Sequence, residues 1–151
     1  MFLLVTFSAF TQQKQISIQD FVEKPLGFKP SIDGFKNYDH PEFKLHKSYF
    51  KNHPSDSIYK FYKGKNAFFL SKTRQGEYFF AGIVTSRKII FNGNIHIGMT
   101  KEAFAESFTD EINTNKDTLE FRDISYPVNY TFFFKRNKLK KIKIDNKKSK
   151  P

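Results

Sequence analysis

Groups able to carry chemistry are few in this chain: four histidines, the Glu102/Glu106 pair and a run of lysines near the C-terminal end. His40, His46, His53 and His96 show neither an H-x-H pattern nor the i, i+4 helical spacing that lets two imidazoles share a metal. His96 lies beside a Gly-Met-Thr turn and reads as a partly exposed structural histidine. Glu102 and Glu106 stand four residues apart, on one face of a predicted helix. A paired-acid hydrolase needs carboxylates from facing walls of a cleft, whereas two on one solvent face form a hydrated surface. There is no G-x-S-x-G, no phosphate-binding glycine loop and no metal motif. With no cysteine, a disulfide framework, thiolate metal ligands and a thiol nucleophile are excluded for these residues. The expectation is a non-enzymatic protein with no cofactor and no metal.

The lysine run is the remaining candidate site. Lys135, Arg136, Lys138, Lys140, Lys141 and Lys143 follow Tyr130, Phe132 and Phe134, and this mixture could grip a polyanion backbone while aromatic rings stack on it. Anionic lipid headgroups would suit the same lysines. The competing reading is structural: lysines on an edge strand deter pairing with other chains. Alternation supports it, since Lys141 and Lys143 point away from Ile142 and Ile144, leaving the aromatics for the core. The net charge of +11 is also local, because residues 135–151 carry +8 and the other 134 residues only +3. A charge confined to one hairpin and a tail argues against a nucleic-acid binder. It leaves a protein partner, or peripheral contact with a membrane surface.

These residues must be positioned by a small α+β architecture. Twenty Phe and seven Tyr supply a core without staples. Ile16-Ser17-Ile18 reads as a short strand. Prolines and glycines then punctuate residues 25–41, with a short helix predicted from Asp33 as N-cap and Phe35 and Tyr38 turned inward. Strands are predicted at 58–63 and 66–71 around Gly64-Lys65, then at 77–84 and 87–91, closed by Asn92-Gly93. The first half is thus a meander of about four strands.

The second half is one helix followed by three antiparallel strands. Thr100 is the predicted N-cap, Met99 and Phe104 fit a hydrophobic staple, and Phe104 and Phe108 line one face of a helix ending near Phe108. Strands follow at 117–122, 128–134 and 139–144, the last two joined by Arg136-Asn137-Lys138. The expected organisation is a domain over residues 16–145 with one or two short helices on a mainly antiparallel sheet, then a disordered basic tail at 146–151. Residues 1–11 read as the end of a signal peptide: Phe2 to Phe10 is apolar and uncharged and stops at a polar cluster. The alternative for that run is a buried N-terminal strand. Nine residues are too few to span a bilayer as a helix.

The stretch Ile95-His96-Ile97-Gly98-Met99-Thr100-Lys101-Glu102, with Phe104 inside the helix, resembles the I-x-x-G-M-T-x-E helix opening of the BamE-like family. These are small outer-membrane assembly lipoproteins related in fold to β-lactamase inhibitor protein. Tyr130 to Phe134, a polar turn and Leu139 to Ile142 look like that family's final hairpin. The resemblance covers about residues 93–144. It departs from the family at Thr109-Asp110-Glu111, where a glycine-and-proline turn would stand, and in lacking the lipid-anchor cysteine. What it implies is therefore the fold. Residues 27–91 read as a degenerate first copy, with Ser31-Ile32-Asp33 standing for Gly98-Met99-Thr100, 67 residues later, as in the two tandem repeats of the inhibitor protein. Together these readings predict an exported envelope protein, periplasmic or secreted, that binds a protein through a sheet face. The alternatives are a basic module for polyanions or anionic membranes, and an inhibitor of an extracellular enzyme.

Overall fold

The computed structural model describes residues 14–38, 42–122 and 128–146. The expected leader at 1–11 and the tail beyond Asn146 lie outside the described residues, as does His40. The architecture is a seven-stranded antiparallel sheet with three short helices, one more than the sequence suggests at most. In chain order the elements are α1 (Ile18–Glu23), α2 (Ile32–Lys36), β1 (Lys44–Phe50), β2 (His53–Lys63), β3 (Asn66–Thr73), β4 (Gly76–Val84), α3 (Lys101–Glu106), β5 (Thr118–Arg122), β6 (Val128–Lys135) and β7 (Lys138–Asn146). The strand order is β1-β2-β3-β4-β7-β6-β5. Two meanders, β1–β4 and β5–β7, are thereby joined where Gly82–Val84 pairs with Ile142–Ile144.

Each helix starts on a hydroxyl that accepts an otherwise unpaired amide. Ser17 Oγ takes the amide of Asp20, Ser31 Oγ that of Gly34 and Thr100 Oγ1 that of Ala103. The Thr100 cap is as expected; the other two correct the sequence reading. Ile16-Ser17-Ile18 is not a strand: Ile16 bridges Phe108 in parallel, Ser17 is a cap, and Ile18 opens α1 with its amide donating to Asp110 Oδ2 at 2.7 Å. The cap of α2 is Ser31, not Asp33, so the caps of α2 and α3 stand 69 residues apart rather than 67. The third helix ends at Glu106, short of Phe108.

The first meander does have four strands, but β1 replaces the expected strand at 87–91. Phe91 makes only an isolated bridge to Ile95. The hairpin at Gly64-Lys65 is as read, with Lys63 pairing with Asn66 and Gly64 at φ 58°. The second turn is one residue shorter than Arg136-Asn137-Lys138, because Lys138 already pairs with Lys135 across Arg136 and Asn137, at φ 51° and 61°. Two left-handed central residues match the twist of the strands they join.

One face of the sheet is covered by the helices, and the core lies between them. Phe21, Phe35 and Phe104 are buried against Phe61, Phe68, Leu70, Phe121, Tyr130, Phe132 and Ile142. Register fixes which side chains share that face. Phe121 opposes Tyr130, Tyr130 opposes Ile144, and Phe132 opposes Ile142. Residues one position away therefore project from the opposite, open face.

Candidate functional site

The open face can be read strand by strand from the register. Tyr62 opposes Ala67, which opposes Ile83, which opposes Lys143. In the adjacent row Lys60 opposes Phe69, and Phe69 opposes Ala81. A bulge between Phe69 and Leu70 leaves Phe80 as an extra residue on β4, and its ring packs on Phe69 with centroids 6.2 Å apart. Tyr78, opposite Ser71, continues the patch. Tyr62, Phe69 and Phe80 are half-buried, while Tyr78 and Ile83 are 44% and 36% exposed. An apolar surface drawn from β2, β3 and β4 thus faces outward, with no helix of the described residues over it.

Lysines border this surface and lie on its rings. Lys60 Nζ is 5.1 Å from the Tyr62 centroid and 5.8 Å from that of Phe69. Lys141 Nζ is 4.4 Å from the Phe133 centroid, further along the same face. Such ammonium–ring contacts cover apolar area with an aliphatic stem while leaving the charge in water.

The six basic residues singled out in the sequence do not form one cluster. Lys141 and Lys143 are on the open face, opposite Phe133 and Thr131, and Lys143 lies 3.6 Å from Asp145 Oδ2. Lys135, Arg136 and Lys138 are at the hairpin tip, and Lys140 is the unmatched residue of a bulge between Phe133 and Phe134. Tyr130, Phe132 and Phe134 are buried, as the structural reading requires, on the face opposite Lys141 and Lys143. The edge-strand explanation fails, however, because β7 lies between β4 and β6. Its first half, beyond the reach of β4, is paired by the segment before α3: the Gly98 amide donates to Leu139 O at 2.8 Å and the Leu139 amide to Met99 O at 2.9 Å.

The carboxylates and histidines of the sequence reading have structural surroundings. Glu102 accepts from Asn137 Nδ2 at 2.9 Å, tying α3 to the hairpin tip. That hydrogen bond, then one from its own backbone amide, holds the Glu102 carboxyl below its ordinary value. Glu106 is exposed on the same helix. His96 Nδ1 lies 2.8 Å from Asn94 O, within the turn. On β1 the Lys47 ammonium sits beside Tyr49 and Tyr59. Hydrogen bonding to Tyr49, then Tyr59, raises the Lys47 pKa. Among the described residues no group of three His, Asp or Glu side chains could hold a metal ion.

A cleft of about 590 Å³ opens at the seam between the meanders, on the helix-covered face. Val22, Phe79, Val128 and Tyr130 form its apolar walls, and Lys24, Lys29 and Glu77 supply charge. Glu77 Oε2 is engaged, accepting the Ile32 amide at 3.1 Å as α2 begins. No helix among the described residues is long and apolar enough to cross a membrane. No family model, curated protein or solved structure matches the chain.

Proposed function

We propose that this is a non-enzymatic, exported envelope protein that binds a protein partner through the open face of its sheet. One observation carries the reading: Tyr62, Phe69, Tyr78, Phe80 and Ile83, from three consecutive strands, share the face that no helix of the described residues covers. Contiguous exposed apolar surface of this kind marks interaction sites. Lys60, Lys141 and Lys143 border it, so the fitting partner offers an apolar patch with an acidic rim. The apolar run Phe2–Phe10 supports export. The BamE-like opening of α3 supports an envelope role, and a capped short helix before each meander supports descent from two tandem copies.

The decisive experiment is capture from an envelope extract on the immobilised protein, beside a charge-matched control and the variant Ile83→Glu. Ile83 is partly exposed and opposes Lys143. A glutamate in its place is therefore expected to leave the fold intact while putting a charge on the patch beside its Lys143 border. A partner enriched by the native chain and lost with the variant supports the proposal. Enrichment no different from the control counts against it. N-terminal sequencing of the native product tests export separately, and an intact Met1 would sink that part.

Lys141 beside Phe133 favours a second reading, a module for polyanions or anionic membrane surface. It requires binding that weakens steeply with salt and disappears when Lys140, Lys141 and Lys143 become Gln.

A further inference from the structure

We propose that β1 is an acceptor edge, to which an extended, acidic segment of a protein partner adds as an eighth strand. Among the described residues β1 is terminal in the sheet order and pairs with β2 alone. Along its outer side every second residue therefore has a backbone N–H and C=O with no strand partner among the described residues, a template for another strand. Its seven residues offer about 23 Å of such edge. The opposite edge, β5, is only five residues long and carries its own Arg122–Glu120 ion pair at 3.1 Å.

Side chains then select the occupant. Of the six large hydrophobic residues exposed in the described structure, Leu45, Tyr49 and Phe50 belong to β1, at 42%, 61% and 40%. Leu45 and Tyr49 oppose Phe61 and Ser57, which places them on the helix-side face. Lys44 and His46 oppose Tyr62 and Lys60 on the open face. Residues 43–55 include Lys44, His46, Lys47, Lys51 and His53 and not one acid. A second copy pairing antiparallel here would bring this basic strand against itself, and like charges across strands repel. The same charges attract a strand that sends acidic residues toward Lys44 and His46 on the open face and apolar ones toward Leu45 and Tyr49 on the other, where Lys47 lies between them over the Tyr49 and Tyr59 rings. This surface is distinct from the patch around Phe80, so the two proposals stand or fall separately.

The test uses the full chain and a fluorescein-labelled peptide alternating Glu and Val, matched to the seven residues of β1, beside one alternating Lys and Val. Anisotropy at low salt is expected to show the Glu/Val peptide binding at least about tenfold more tightly. Amide exchange followed by NMR should slow at alternate residues of β1. The double variant Lys44→Glu, His46→Glu should weaken binding about tenfold, while Ile83→Glu leaves it unchanged. Equal binding of the two peptides overturns the proposal, as does protection appearing on strands other than β1. A dimer in sedimentation that already protects β1 without peptide also overturns it, in favour of a second copy.

Discussion

Glu102 lies in the first turn of α3, where its carboxylate accepts from Asn137 and where the amide dipoles of the helix favour negative charge. Both effects make the folded carboxyl a stronger acid than the unfolded one, whose ordinary value is 4.5. The sign follows by linkage: the contribution is fully present above that value and is lost as pH falls through the lower, folded one. Thermal melts across the acidic range should therefore show a stability loss that is shallower in Glu102→Gln than in the native chain. Matching slopes would mean that the Asn137 contact does not hold in solution. Lys47 carries the opposite sign. Its raised pKa favours the fold until the ammonium loses its proton at alkaline pH. Both directions keep Glu102 ionised and Lys47 protonated near neutrality.

At the scale of elements, the segment Gly98–Thr100 does two jobs at once, pairing with β7 at Leu139 and capping α3. Gly98 has φ +95°, and a Cβ there would stand 3.2 Å from Arg87 Nε. Gly98→Ala should cost about 1–3 kcal/mol by forcing a side chain into the left-handed region. Thr100→Ala should cost about 1 kcal/mol through the lost cap. Urea unfolding of the two variants and their double would check this, and because they share one segment their effects should not add. This region was legible because its signals are local: a cap, a staple and a polar turn around Arg136-Asn137-Lys138, which proved one residue shorter. The helix α1 was not, since six residues with Phe21 and Val22 inward show no helical period and its entry depends on distant Asp110. The strand β1 was hidden because it is mostly exposed and lacks alternating burial. The placement of β7 inside the sheet depends on a pairing with β4 some sixty residues away, and no local pattern encodes it. Within the site, alternation correctly turned Lys141 and Lys143 outward. The apolar run Ala67-Phe68-Phe69-Leu70 concealed which Phe faces the core, and the bulge at Phe80 moved that ring onto the open face.

The whole molecule is held across its seam by more than the sheet. One set of rings, around Phe35, Phe61, Phe68 and Phe79, packs under the first meander. Another, around Phe21, Phe104, Phe121 and Phe132, packs under the second. Among the described residues the sheet joins the meanders through three residue pairs of β4 and β7. Phe91 spans the gap, its ring 6.0 Å from Phe21 and 6.3 Å from Phe68, and it is 2% exposed. Continuous packing of this kind predicts a single unfolding transition, with calorimetric and van't Hoff enthalpies equal. Phe91→Ala should cost about 3–5 kcal/mol and remove the ring that links the two sets. Its effect on cooperativity separates this role from ordinary core filling. Phe134→Ala, whose ring meets Phe104 at one end of the second set, should cost a comparable amount and keep the enthalpies equal. In Phe91→Ala the calorimetric enthalpy should exceed the van't Hoff value as the meanders begin to melt apart. Equal enthalpies in both variants would assign the coupling to the β4–β7 pairing instead of to Phe91.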